Sequence, residues 1–161
     1  MTGEKSDVDK GQESDAPSKP SVVDLRSEPV PWTPITKPLS RCRVALVTTA
    51  GVYVKSQAPF DVTAKDGDPS FRGLPSSTPL EEYKISHTHY DHSDADRDIN
   101  CVFPISRVKE MVDGSLLGSV AEVSYGFMGF IKDLEGLKVN ARTVAGALLV
   151  QGVDVVLGTP G

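Results

Sequence analysis

The sequence predicts an α/β domain with a mainly parallel sheet and Rossmann-like βαβ connections, incomplete at its C-terminus. Three observations carry that expectation. Residues 43–51 form a near-continuous apolar, β-rich run ended by Gly51, the pattern of a strand buried on both faces of a parallel sheet. Residues 136–151 place Leu137, Val144 and Leu148, with Ala141 and Ala145, at three- and four-residue steps, as an amphipathic helix does. Residues 153–158 are a second apolar run. Strand, crossover, helix and strand in this order build a parallel sheet.

The elements before that domain are sparse. Residues 1–38 are rich in Ser, Asp, Glu, Lys and Pro, too polar to offset chain entropy by burial. They are expected to be a tail and extended arm, with Trp32 pinning the arm to a domain over 39–161. The prolines Pro29, Pro31, Pro34 and Pro38 favour that extended lead-in. Hydrophobic residues make up 39% of the 161 and the net charge is -5. That charge argues against a nucleic-acid partner, which needs clustered Lys and Arg. No apolar run is long enough to span a bilayer, and residues 1–7 lack a signal-peptide core. A cytoplasmic protein with no membrane partner is the default. There Cys42, as a packing residue, and Cys101 are expected as free thiols.

Residues 52–79 read as a long loop, with turn chemistry at Asp66-Gly67-Asp68-Pro69-Ser70. Such loops are functional or disordered. Lys55, Asp68, Ser70 and Arg72 offer polar groups for an anionic ligand, against the alternative of a solvated surface loop. A short strand is expected over 83–88 and a helix over 107–112, capped by Ser106 and ended near Gly114. Residues 120–123 alternate like a strand. The glycines after them suggest a loop whose backbone approaches something closely. Gly152 is placed to end the helix over 136–151.

The chemistry-bearing side chains gather in residues 85–105, which hold all three histidines, Cys101 and the aspartates Asp91, Asp94, Asp96 and Asp98. Two readings compete. His87, His89, Asp91 and His92 match the His-x-His-x-Asp-His signature of metallo-β-lactamase-type hydrolases, in which histidines two apart on a strand point the same way into a zinc pocket. The rest of the chain departs from that family, because no histidine follows His92 and the fold would need two antiparallel sheets. A non-catalytic module, with Asp94, Asp96 and Asp98 as a solvated turn, is a further alternative.

The second reading comes from a resemblance. Residues 43–52, Gly67-Asp68-Pro69-Ser70-Phe71-Arg72, His87-Thr88-His89-Tyr90-Asp91, Asp98-Ile99-Asn100-Cys101-Val102-Phe103-Pro104-Ile105 and Val153-Asp154-Val155-Val156-Leu157 together resemble the selenoprotein B family of glycine, sarcosine and betaine reductases and D-proline reductase. The resemblance covers about residues 31–161. In that family a strand like 153–157 runs through a Thr-Pro-Gly-like turn into selenocysteine or cysteine, followed two residues later by a cysteine. The resemblance implies selenocysteine just after Gly161, a reading frame cut at a UGA codon, and no other cofactor or metal. It implies a small-molecule substrate, other reductase subunits and a thioredoxin-like electron donor as partners. His87 and His89, with Asp91 beside them, would donate protons or position substrate, and Cys101 would act as a resolving thiol. Lys55 and Arg72 would bind the substrate carboxylate, with Asp68 and Ser70 close by. If the chain is a truncated subunit, it is non-catalytic.

Overall fold

The computed structural model describes residues 33–161. Most of the tail expected over 1–38, and Trp32 with it, lies outside the described residues. The described residues form ten regular elements joined by loops and short 3-10 turns. The strands are β1 (Arg43–Thr48), β2 (Val52–Val54), β3 (Arg72–Pro75), β4 (Tyr83–Ile85), β5 (Ser119–Val120), β6 (Val123–Gly126) and β7 (Val155–Thr159). The helices are α1 (Ser93–Arg97), α2 (Ile105–Asp113) and α3 (Leu134–Val150).

The expected α/β architecture is present. β1 is central, parallel to β7 on one side and to β5 and β6, placed end to end, on the other. β3 adds an antiparallel edge beyond β6. Strand β1 buries both faces, as its unbroken apolar run requires. Val44 and Leu46 face a core with Phe103, Ile105 and Val108. Ala45 and Val47 face a second core with Tyr125, Val144 and Leu148 of β6 and α3. Alternate side chains of one strand thus anchor two separate apolar clusters. Cys42 is fully buried just before β1, and both cysteines are free thiols.

The strand beside β1 is interrupted. Val44 pairs with Val120 and Val47 with Tyr125, so three steps along β1 face five along its neighbour. The two extra residues bulge out, and the ladder partner of Leu46 is missing there. The buried Ser124 hydroxyl accepts the Leu46 N–H at 2.9 Å instead, so this buried donor is not left unpaired.

Several boundaries differ from the sequence-based expectation. The long loop over 52–79 contains β2 and β3, short strands hidden among Pro and Gly. β4 ends at Ile85 rather than 88, because its partner β2 begins only at Val52, paired with Ile85. Ser106 does not cap α2: the helix starts at Ile105 after Pro104, and the Ser106 N–H donates to the Asn100 side chain. α1 gave no periodic signal, since Ala95 is its only buried residue. Asp133 caps α3 by accepting the Gly136 N–H. Ala141 and Ala145 lie exposed, which leaves a narrow buried stripe of Val144 and Leu148 with half-buried Leu137. Gly152 ends α3 with φ +67°, a conformation favourable only to residues without a Cβ.

Candidate functional site

The carboxyl ends of parallel strands are where α/β sheets place ligands. Here the ends of β1, β6 and β7 meet the loop that follows β4. Backbone hydrogen bonds stitch them together. Thr49 N–H donates to the Thr159 carbonyl at 3.0 Å, Gly51 N–H to Phe127 at 2.9 Å, and Ser86 N–H to Gly51 at 2.9 Å. Side chains add to this. The Thr49 hydroxyl accepts the Gly161 N–H at 3.2 Å, the Tyr90 hydroxyl donates to the Ala50 carbonyl at 3.1 Å, and Thr159 Oγ1 donates to Val102 at 2.7 Å.

Glycine permits the closest approaches. A Cβ on Gly129 would lie 2.9 Å from His87 Nε2, 3.0 Å from the Thr49 carbonyl oxygen and 3.3 Å from the Gly161 oxygen. The loop read from its glycines as a close backbone approach does approach closely, and what it meets is the His87 ring and the end of β7.

His87 is 6% exposed and is the one buried histidine. The His89 N–H faces its Nδ1 at 3.0 Å and the Gly129 N–H faces its Nε2 at 3.2 Å, and whichever nitrogen lacks the ring proton accepts. A neutral imidazole accepts at one nitrogen only, and a protonated one at neither, so this ring is held away from the charged state. Burial, then the nearby His89 and His92, push its pKa below the usual histidine value. Burial and then Asp96 push the Tyr90 phenol up to about 12, so it stays a hydrogen-bond donor.

The other residues of the stretch point elsewhere. His89 is exposed and stacks on Phe130, with ring centres 4.3 Å apart. His92 pairs with Asp96 at 2.8 Å. Asp91 accepts the Ser93 N–H, which holds its pKa below the usual value and starts α1. The His87 and His89 rings sit 5.7 Å apart and nearly perpendicular, since both lie beyond the end of β4. No group of three His, Cys, Asp or Glu side chains among the described residues could hold a metal ion. With both His87 nitrogens facing backbone N–H groups, this arrangement does not fit the zinc pocket that the motif suggests.

Cys101 is exposed at the end of a 3-10 turn, its Sγ 4.0 Å from the Asp94 carbonyl oxygen. It precedes Val102, whose carbonyl receives the Thr159 hydroxyl. Arg72 donates to Ala58, Pro59, Phe71 and the Ser70 hydroxyl, and lies over the Phe60 ring. Asp68 binds Ser70 and the Asp61 N–H. Burial would raise its pKa, but these bonds and Arg72 outweigh it and lower it. Asp68, Ser70 and Arg72 therefore clip one loop to itself. Lys55 follows the far end of β2, which leaves the site at Gly51. The sequence-based reading missed Thr49, Tyr90 and Gly129, because ordinary residues gain meaning only from the strand ends beside them.

Comparison with known proteins follows the same line. A family model described as glycine/sarcosine/betaine reductase selenoprotein B matches residues 22–160. The chain is 38% identical over 142 residues to a protein of Acetoanaerobium sticklandii named D-proline reductase subunit gamma, covering 86% of this chain and 56% of that one. It is 27% and 26% identical to proteins of Carboxydothermus hydrogenoformans and Symbiobacterium thermophilum, each named glycine reductase complex component B subunit gamma. These matches cover 81% of this chain and 30% and 31% of those. The chain thus spans about half the length of the first relative and about a third of the other two. No solved structure matches it.

Proposed function

The chain belongs to the glycine/sarcosine/betaine reductase selenoprotein B family, and on that premise we propose that it is a component of a cytoplasmic selenol- or thiol-dependent reductase. Its substrate would be glycine, sarcosine, betaine, D-proline or a similar small molecule, and its partners other reductase subunits and a thioredoxin-type electron donor. The observation that carries this reading is the convergence of Gly161, Thr49, Gly129 and His87 at the carboxyl ends of β1, β6 and β7.

A selenolate or thiolate placed after Gly161, as the family resemblance implies, would supply the nucleophile and be reset by a neighbouring cysteine and the donor dithiol. The chain's own residues would shape its surroundings. Thr49 fixes the Gly161 N–H, and so the direction in which the chain leaves the sheet. Tyr90, held protonated, ties the histidine loop to Ala50. His87 stays neutral and places no positive charge at the wall of the site, while fixing Gly129 beside Gly161. His89, exposed on the Phe130 ring, is the histidine free to exchange a proton with substrate.

Reading the gene beyond the Gly161 codon and measuring selenium in the full-length product by mass spectrometry tests this. A UGA followed by coding for a downstream cysteine, with one selenium per chain, supports it, and so does a cysteine codon in the same place. A UAA or UAG codon, or a product with neither selenium nor a cysteine there, overturns it.

A further inference from the structure

Resting on the reductase reading, we propose that Lys132 binds the carboxylate of an amino-acid-type substrate at the mouth of this site. The four candidate substrates share a carboxylate, and holding one beside a nucleophile calls for a cation within reach. Arg72 already donates to three carbonyls and one hydroxyl of its own loop. Lys55 lies past the far end of β2. Lys132 is different in position and in partners.

Lys132 follows Gly129 by three residues, a span of roughly 10 Å at most, and Gly129 packs against the Gly161 oxygen. Its Nζ lies over the Phe130 ring, 5.2 Å from the centre. That ring stacks on His89, whose N–H is bonded to His87. Lys132 is exposed and forms no ion pair among the described residues. The acids beside it in sequence are engaged: Asp133 accepts the Gly136 N–H at 2.9 Å and Glu135 pairs with Lys138 at 2.8 Å.

The backbone under Lys132 is braced. Its N–H and that of Asp133 both donate to the Asp66 carbonyl, at 2.7 and 3.3 Å. Gly67, at φ +77°, lies so close to Phe130 and Ile131 that a Cβ would sit 2.1 Å from the Phe130 oxygen. The polar loop around Asp68 thereby gains a role: it holds the 130–133 segment in place from behind instead of touching substrate. A rigid anchor lets one exposed lysine orient a ligand with a small loss of entropy.

The test uses the full-length chain with its partner subunits, comparing wild type, Lys132→Met and Lys132→Arg on a carboxylate substrate and on its primary amide. Lys132→Met should raise KM for the carboxylate on the order of tenfold to a hundredfold, with kcat changed less than about threefold. The amide KM should stay within about twofold of wild type, and Lys132→Arg should recover most of the loss. A carboxylate KM unchanged in Lys132→Met, or amide and carboxylate KM values raised alike, overturns the assignment. A wild-type complex that reduces none of the four substrates overturns the reductase reading itself, and the assignment with it.

Discussion

Replacing Gly51 by alanine should cost far more than replacing a glycine with the same backbone angle in open space. Gly51 has φ +71° and Gly152 has φ +67°. Nothing lies within 4 Å of a Cβ at Gly152, whereas at Gly51 it would lie 2.3 Å from the Ser86 carbonyl oxygen and 3.2 Å from His87 Cβ. The left-handed conformation alone costs alanine about 1 kcal/mol, which is the whole expectation for Gly152→Ala. At Gly51 the added methyl overlaps backbone by roughly 1 Å, so the histidine loop must move off the end of β1. That motion breaks the Ser86–Gly51 and Tyr90–Ala50 hydrogen bonds, at 2.9 and 3.1 Å, each worth about 1 kcal/mol. The sum is about 3 kcal/mol, or roughly 12 °C in Tm for a domain of this size. Gly146→Ala, in the middle of α3 with no neighbour within 4 Å, should instead stabilise by about 0.5–1 kcal/mol. Urea titrations of the three variants measure the order directly. A Gly51→Ala variant no less stable than Gly152→Ala would refute the close packing of the histidine loop on the end of β1.

Other perturbations follow from the same contacts. Ser124→Ala leaves the buried Leu46 N–H without an acceptor and should cost about 1–3 kcal/mol in denaturant unfolding. Phe103→Ala empties a fully buried site with an edge-to-face contact to Tyr83, a loss of about 3–5 kcal/mol. The folded state lowers the His87 pKa below 6.5, so folding favours the neutral ring. Its contribution is complete above pH 6.5 and is lost as pH falls through the lower folded-state value. The stability difference between wild type and His87→Gln, followed by urea titration from pH 8 to 5, should therefore shrink toward acid, and a difference that grows toward acid would contradict the assigned neutral ring. Arg72→Lys cannot reach the same set of carbonyls and should lower stability by about 1–3 kcal/mol while leaving carboxylate KM unchanged in the reductase assay.

The long-range frame was legible in the chain because burial on two faces writes itself into residues 43–51 as an unbroken apolar run. α3 was legible because one stripe of it is apolar and Gly152 marks its end. β2 and β3 were not, being three and four residues long among prolines and glycines, with pairing set by distant partners. The histidine stretch stood out by its residue types, but its orientation could not be read. His87 turns inward because the 129 and 89 backbone N–H groups meet it, while His92 turns outward to Asp96. The first depends on a contact across the fold, with a partner 42 positions away, and the second on a pair one helical turn apart whose geometry appears only once α1 forms. The polar residues Asp68, Ser70 and Arg72 show the same limit: their types suit an anion, but their geometry spends them on one another.

The most direct measurement is reduction by the full-length chain assembled with its partner subunits and a dithiol donor, given glycine, sarcosine, betaine and D-proline in turn. The proposed function predicts dithiol-dependent consumption of at least one of them, reduced on the order of a hundredfold when the selenocysteine or cysteine proposed to follow Gly161 is replaced by serine. An assembled complex that consumes none of the four, or whose activity survives that replacement, would contradict it.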